Sequence, residues 1–129
     1  MSIELNHTIV HSIDREAAAR FLAETLDLSP PESFGPFMVV RTANGVSLDF
    51  MSSPAPVAEQ HYAFLVSEAE FDAIYGRIRQ SGVAFWADPM RRRQNQISTN
   101  GGGRGVYFLD PSGHALEILT RAQEPAAGG

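Results

Sequence analysis

Apolar positions in the first half of the chain follow a strand period and then a helix period. Residues 5–10 form a β-branched and apolar run that predicts a strand. Apolar residues at helical spacing over Arg15–Leu26, after Asp14 as a capping residue, predict a helix. Phe37–Arg41 and residues 46–51 then flank an Asn-Gly pair, which is typical of a tight hairpin turn. The order predicted for this half is therefore strand, helix, strands.

The same order begins again after a proline-containing linker near residue 55. Residues 62–66 predict a strand. Ser67, with Glu70 three residues later, is typical of a capping box that begins a helix, and Gly82 is expected to end it. Overall identity between the halves is weak, so the matched order of elements carries the inference of a repeat. The remaining predicted elements are a strand at 83–87, a polar loop at 90–103, and a hairpin of 106–109 and 115–120.

Composition places the chain among ordinary soluble globular proteins. Its 129 residues suit one compact domain, with 43% hydrophobic and 19% charged residues. The absence of cysteine excludes disulfides, thiolate metal sites and a cysteine nucleophile. A net charge of −5 argues against nucleic-acid binding, and no apolar stretch approaches the roughly 20 residues that span a membrane. The N-terminus has no signal-peptide pattern, so we expect a cytoplasmic protein.

Two histidines and two carboxylates occupy matched positions in the two halves. His7 and His61 lie in the first predicted strand region of each half, and Asp49 and Glu117 lie in the last. A carboxylate on an apolar strand face is costly unless it is paired or binds a cation. Two imidazoles and one carboxylate with open positions suit ferrous iron, and equally manganese, nickel, cobalt or zinc. We therefore expect one divalent metal ion.

Each candidate also has an ordinary structural interpretation. A strand histidine is more often a hydrogen-bonded core or edge residue than a ligand, and Glu117 could lie on the solvent face of its strand. Asp49 could face solvent or form a salt bridge with Arg41 across the hairpin. His11 and His114 are predicted to be surface or turn residues. The matched placement in both halves favours the metal interpretation.

Three segments of the chain resemble the vicinal oxygen chelate superfamily. This superfamily includes glyoxalase I, extradiol dioxygenases, fosfomycin-resistance transferases and bleomycin-resistance proteins. The most specific segment is GRGVYFLDPSGHALEI at 103–118, which is similar to a closing hairpin whose aspartate-proline-x-glycine turn precedes a metal-binding glutamate. LNHTI at 5–9 and HYAFLV at 61–66 resemble the family's two histidine strands. The resemblance covers about residues 4–121.

The resemblance implies an α+β fold of two βαβββ modules. The modules are expected at residues 1–53 and 54–122, followed by a flexible tail at 123–129. Their curved mixed sheets are expected to enclose one metal-centred cavity. Relatives commonly pair modules across chains, and exposed sheet edges need covering, so we expect a homodimer. Both a site within one chain and a site shared across the dimer remain open.

The resemblance also implies the ligand set. His7, His61 and Glu117 match the metal ligands of metal-binding members. Asp49 matches a fourth ligand of glyoxalase I, where that enzyme typically has glutamate. The shorter side chain leaves open direct ligation, a contact through water or the substrate, or no contact at all.

The function implied is that of a metal-dependent enzyme acting on a small oxygen-rich molecule chelated to the ion. Such an enzyme would be glyoxalase-like or extradiol-dioxygenase-like: a lyase, an isomerase or a dioxygenase. Glu117 and Tyr107 are candidate catalytic residues, with Tyr107 as a proton donor or substrate contact and Arg104 as a partner for an anionic substrate. A packed tyrosine and an ordinary loop arginine are the alternatives. The competing function is a non-catalytic small-molecule or antibiotic-binding protein, similar to bleomycin-resistance proteins, which lack the metal triad.

Overall fold

The computed structural model describes residues 2–123, except for the side chain of Asn100. The predicted tail at 123–129 lies outside the described residues apart from Gln123. The chain divides into two compact units, Met1–Gln60 with Asp110–His114, and His61–Leu109 with Ala115–Gly129. The module boundary between residues 53 and 54 stays a prediction, as does the single cavity. Neither helix in the described part of the chain is long and apolar enough to cross a membrane.

The first unit contains a strand, a helix and three further strands. They form one mixed sheet of order β1-β4-β3-β2, in which β1 is parallel to β4 and the other pairs are antiparallel. Asp14 begins the helix as predicted, because its side chain accepts hydrogen bonds from the backbone N–H groups of Glu16 and Ala17. The elements are β1 (His7–Ser12), α1 (Arg15–Leu26), β2 (Glu32–Phe34), β3 (Phe37–Arg41) and β4 (Ser47–Ser52).

The second unit repeats this order of elements. Its sheet has the order β5-β8-β7-β6, again with one parallel pair, β5 and β8. The predicted capping box of Ser67 and Glu70 is present, and Gly82 ends the helix in the left-handed conformation at φ 78°. The α+β fold with two βαβββ modules is therefore confirmed. The elements are β5 (His61–Leu65), α2 (Glu68–Ser81), β6 (Phe85–Trp86), a 3₁₀ segment (Asn100–Gly102), β7 (Gly105–Leu109) and β8 (Ala115–Leu119).

The strand register also repeats between the two sheets. Asp49 of β4 pairs with the residue two positions after His7 in β1. Glu117 of β8 pairs with the residue two positions after His61 in β5. Because side chains alternate between the faces of a strand, each histidine shares one face of its sheet with the matching carboxylate. The repeat inferred from the order of elements therefore extends to the candidate ligands themselves.

The largest differences from the sequence expectation are in three strands, β1, β2 and β6. The sequence does not predict β2, because Glu32–Phe34 is too short to show an alternating pattern. β1 begins at His7 rather than at residue 5, and β6 covers only Phe85–Trp86 of the predicted 83–87. β2 and β6 are the outer strands of their sheets, and each is held by one neighbour. Such pairing depends on distant residues, which local periodicity does not record.

Of the two alternatives expected for His114, surface or turn, the structure supports the turn and not the surface, because the residue ends the turn at 110–114 and is buried. The residue is 1% exposed. Its Nε2–H donates to the His11 carbonyl at 2.6 Å, and its Nδ1 accepts from the backbone N–H of Gln60 at 3.0 Å. Asp110 Oδ1 closes the turn by accepting from the backbone N–H groups of Ser112 and His114. The partners of the ring lie 54 and 103 positions away in sequence, which explains why a local turn motif did not reveal the burial.

Candidate metal and substrate site

Three side chains from neighbouring strands converge on one face of the second unit's sheet. The Nε2 atom of His61 lies 2.9 Å from Oε1 of Glu117. Tyr107 of β7 is the strand partner of Glu117, and its phenol donates a hydrogen bond to the Glu117 carboxylate. The rings of His61 and Tyr107 meet edge-on, with centroids 5.8 Å apart. We call these three residues the carboxylate cluster.

Burial and charge inside the carboxylate cluster hold the proton on the phenol. The side chain of Glu117 is 11% exposed, whereas that of His61 is 45% exposed. Burial, together with the nearby charge of Glu117, raises the pKa of Tyr107 to about 12. In the described part of the chain, every buried side-chain nitrogen and oxygen has a hydrogen-bond partner. The cluster is therefore compatible with folding in the absence of an ion.

A cavity of about 550 Å³ lies beside the carboxylate cluster, within the second unit. Its lining includes Glu117 and Tyr107, the backbone of the glycine-rich loop before β7, and two arginines, Arg104 and Arg121. This volume falls in the range of cavities that bind small organic molecules. The cavity thus combines an acceptor, a protonated phenol and two cationic side chains.

His7 lies in the first unit, where it is the exposed first residue of β1. Its Nδ1 atom is 2.7 Å from Oδ1 of Asn6. Because an amide oxygen only accepts hydrogen bonds, Nδ1 carries the proton and Nε2 keeps a lone pair. A hydrogen bond of this kind orients metal-binding histidines and sets their tautomer. The chemistry of His7 therefore fits a metal ligand that binds through Nε2.

Asp49 is buried in the first unit and shares a cavity with His7. The residue is 8% exposed, and its Oδ1 accepts a hydrogen bond from the Ser47 hydroxyl at 3.0 Å. Both acidic and imidazole groups line a cavity of about 410 Å³. Asp49 does not face bulk solvent, and the described residues show no ion pair between Asp49 and Arg41. Whether Asp49 contacts a metal stays a prediction.

The predicted triad is divided between the two units, with His7 in the first and His61 and Glu117 in the second. Within residues 2–123, no group of three or more His, Cys, Asp or Glu side chains could hold a metal ion. His61 and Glu117 offer two adjacent metal ligands, whereas a protein usually supplies three ligands to a catalytic metal ion. Assignment of His7, His61 and Glu117 as one ligand set therefore remains a prediction.

Arg104 is engaged by helix α2. Its Nε donates to Glu68 and its Nη1 to Asp72, each at 2.8 Å, while its guanidinium lies 4.4 Å from the centre of the Phe71 ring. The hydrogen bond to Asp72 raises the pKa of Arg104, and hydrogen bonds from Thr120 and Arg104 lower the pKa of Glu68. Two carboxylates thus already balance the charge of Arg104. Its predicted contact with an anionic substrate stays untested.

Sequence reasoning missed three residues that contact the candidate site. Asn6 orients His7, and Ser47 donates to Asp49. Arg121 lines the cavity in the second unit, two residues after β8 ends. The sequence gives only weak signals for these residues. Asn6 and Ser47 are polar residues close to a candidate ligand. Arg121 contacts the run of three glycines.

Comparison with solved structures finds two proteins that match over their whole length. The oxidase ChaP-H1 is 61% identical, covers 99% of this chain and 100% of its own, and superposes with a TM-score of 0.92. The oxidase ChaP-H2 is 54% identical, covers 100% of both chains, and superposes with a TM-score of 0.94. This chain is similar to both oxidases in fold and in sequence.

Curated relatives match over a shorter segment. The metallothiol transferase FosB of Shouchella clausii (strain KSM-K16) is 40% identical over 60 residues, which is 46% of this chain and 37% of FosB. The model of the Glyoxalase/Bleomycin resistance protein/Dioxygenase superfamily matches residues 4–118, nearly the whole of the described chain. The chain therefore belongs to this superfamily, the vicinal oxygen chelate superfamily that its three motifs resemble.

Proposed function

We propose that the chain is a metal-dependent enzyme that binds the neighbouring oxygens of a small organic molecule. The observation that carries this proposal is the His61–Glu117 pair, which places a nitrogen and an oxygen able to bind a metal ion side by side, next to a cavity of suitable size. A divalent ion held there would polarise the oxygens of its ligand and stabilise negative charge on them. Once the ion replaces the phenol as the partner of Glu117, Tyr107 would donate its single O–H to such an oxygen, because its phenol keeps its proton at neutral pH.

We infer that the third ligand, His7, comes from a second copy of the chain. Described residues of one chain contain no triad. The strand faces that carry the two histidines are also partly apolar and exposed, with Ile9 at 44% and Leu65 at 64%. Apolar residues on a ligand-bearing face favour a protein partner there. A homodimer would cover both faces and complete each ligand set.

The reaction we propose is an oxidation of the chelated molecule. Support comes from the two oxidases, which match this chain over its full length at 61% and 54% identity. Transfer of a thiol is the second candidate, since FosB matches at 40% identity, although over less than half of this chain. Glyoxalase-like isomerisation and non-catalytic binding have no comparable support.

Metal content tests the first part of the proposal. Protein purified without a metal-chelating tag is treated with chelator and then offered iron, manganese, nickel, cobalt and zinc separately. We expect about one ion per chain for at least one of these metals. His61→Ala should abolish tight binding, while Glu24→Gln, which removes an exposed carboxylate from helix α1, should leave binding unchanged. Failure of folded wild-type protein to bind any of the five metals would contradict the proposal.

Reaction class is tested separately with the metal-loaded protein. Oxygen uptake is followed with a panel of catechols, and loss of free thiol is followed with fosfomycin and glutathione. Metal-dependent oxygen uptake that disappears in His61→Ala is the expected result. Thiol loss without oxygen uptake would instead favour the transferase, and turnover in neither assay, despite tight binding of a probe, would favour the binding protein.

A further inference from the structure

Glycines before β7 pack directly against Arg121, with no room for a side chain between them. A Cβ added to Gly102 would lie 2.5 Å from Arg121 Nη1, and one added to Gly103 would lie 2.7 Å from Arg121 Cβ and 3.0 Å from the Thr120 hydroxyl. Real Cβ atoms essentially never approach that closely. Arg121 Nη1 also donates to the carbonyl of Gly101 at 3.0 Å. The glycine run thus leaves room for the Arg121 side chain, and the carbonyl of Gly101 positions its guanidinium.

Arg121 lines the cavity that also contains Glu117 and Tyr107. Arg104, the other arginine of the lining, pairs with Glu68 and Asp72. Among the described residues, Arg121 has no carboxylate partner and hydrogen-bonds only a backbone carbonyl. A guanidinium carries five N–H donors in a planar fork, and this arrangement leaves most of them available to a molecule in the cavity.

We propose that Arg121 binds an anionic group of the substrate and so selects acidic molecules. Because Glu117 is acidic, an anion next to it would be repelled unless a cation compensates, and Arg121 provides that cation. The substrate class is then a small aromatic or aliphatic acid whose neighbouring oxygens reach the metal while its carboxylate, or a group of like charge, meets Arg121. This inference rests on the proposed function, since it assumes that the same cavity receives the chelated molecule.

Binding of matched probes to the metal-loaded protein tests the inference. Catechol offers two neighbouring oxygens and no other anionic group, while 2,3-dihydroxybenzoate and 3,4-dihydroxybenzoate add a carboxylate in different positions. We expect at least one of the acids to bind about tenfold more tightly than catechol in calorimetric titration, as a charge-assisted hydrogen bond would give. In Arg121→Gln that preference should vanish, while the affinity for catechol stays as in wild type.

A second variant moves Arg121 without removing its charge. Gly103→Ala places a methyl group 2.7 Å from Arg121 Cβ, too close for both to stay in place, so Arg121 should shift and the preference for the acid should fall here too. Arg20→Gln, which removes an exposed arginine from α1, and Gly76→Ala, where an added Cβ meets nothing within 4 Å, are the matched controls and should keep it.

The outcomes separate the two proposals. Binding of catechol with no preference for either acid in wild type, or a preference that survives Arg121→Gln and Gly103→Ala, would overturn the role of Arg121 and leave chelation standing. Binding of none of the probes by protein that does hold metal would refute chelation of neighbouring oxygens itself, and the role of Arg121 with it.

Discussion

Tyr107 combines the two environments that oppose loss of a phenolic proton. Burial and the Glu117 carboxylate raise its pKa to about 12 from a usual 10.0. The native state therefore keeps a proton that the unfolded chain releases. Stability from this residue is fully present below about pH 10, and it declines as the pH rises towards 12.

Alkaline titration can isolate this tyrosine because the chain has no lysine and three tyrosines. The native protein should show a step in phenolate absorbance near pH 12, and that step should be missing in Tyr107→Phe. The variant should also lose less stability than wild type over the same pH range in urea unfolding. A late step that persists in Tyr107→Phe would assign the raised pKa to another residue.

The candidate ligands could be predicted from sequence, whereas their hydrogen-bond partners could not. His7, His61 and Glu117 stand at matched positions of a repeat, so each supports the others. Asn6 and Arg121 have no such counterpart. Arg121 reaches the carbonyl of Gly101 only because the loop before β7 folds against the residues after β8. Asn6 accepts a hydrogen bond from His7 only in the tautomer that carries the proton on Nδ1. Residue types alone do not encode those contacts.

Helix α2 contains one glycine and ends at a second, and their surroundings predict opposite effects of alanine. Gly76 lies inside the helix, and an added Cβ meets nothing within 4 Å, so Gly76→Ala should stabilise the protein by roughly 0.5–1 kcal/mol. Gly82 ends the helix at φ 78°, where a side chain is strained, so Gly82→Ala should destabilise it by about 1 kcal/mol. Urea unfolding of the metal-free protein measures both, and equal signs for the two changes would contradict this account.

The turn at 110–114 allows a second test of stability, with a larger expected change in unfolding free energy. The buried ring of His114 bonds one part-buried backbone N–H and one part-buried carbonyl, so His114→Ala should cost roughly 2–4 kcal/mol of unfolding free energy. His11→Ala is the control, because only the carbonyl of His11 takes part, and its exposed ring should contribute less than about 0.5 kcal/mol. A loss for His114→Ala no larger than for His11→Ala would show that water replaces both bonds.

Elements with local signals were predictable, and those held by distant partners were not. α1 and α2 have capping residues and helical spacing within one segment, and both begin where the sequence indicates. β2 and β6 have two or three residues each, and they exist through pairing with β3 and β7. The burial of His114 depends in the same way on Gln60 and His11, far away in sequence.

At the scale of the whole molecule, the candidate ligands of one metal ion lie on two sheet faces, one in each unit. Each unit has a histidine and a carboxylate on one sheet face, and each has its own cavity. Each unit thus offers part of a ligand set. If the first unit of one copy pairs with the second unit of the other copy across a two-fold axis, the same shared site forms twice. We therefore predict a dimer with two sites, each combining His7 of one copy with His61 and Glu117 of the other.

Mixing two variants that each lack one proposed metal ligand tests this arrangement directly. His7→Ala and His61→Ala should each fail to bind metal tightly when pure. After the two are unfolded together and refolded, about half of the dimers should be hybrids with one complete site in two, so about a quarter of all sites should bind metal again. The complete site takes His7 from the His61→Ala chain and His61 with Glu117 from the His7→Ala chain.

The control is His7→Ala mixed with a chain that carries both substitutions, which offers no complete combination and should recover nothing. Metal bound per chain after gel filtration, together with mass by light scattering, gives the result. If each site were built within one chain, a hybrid would contain two broken sites and mixing would restore no binding at all. Recovery therefore requires a shared site, and its absence in a sample that contains hybrid dimers would place all three ligands in one chain. A wild-type protein that stays monomeric at micromolar concentration while binding metal would lead to the same conclusion without mixing.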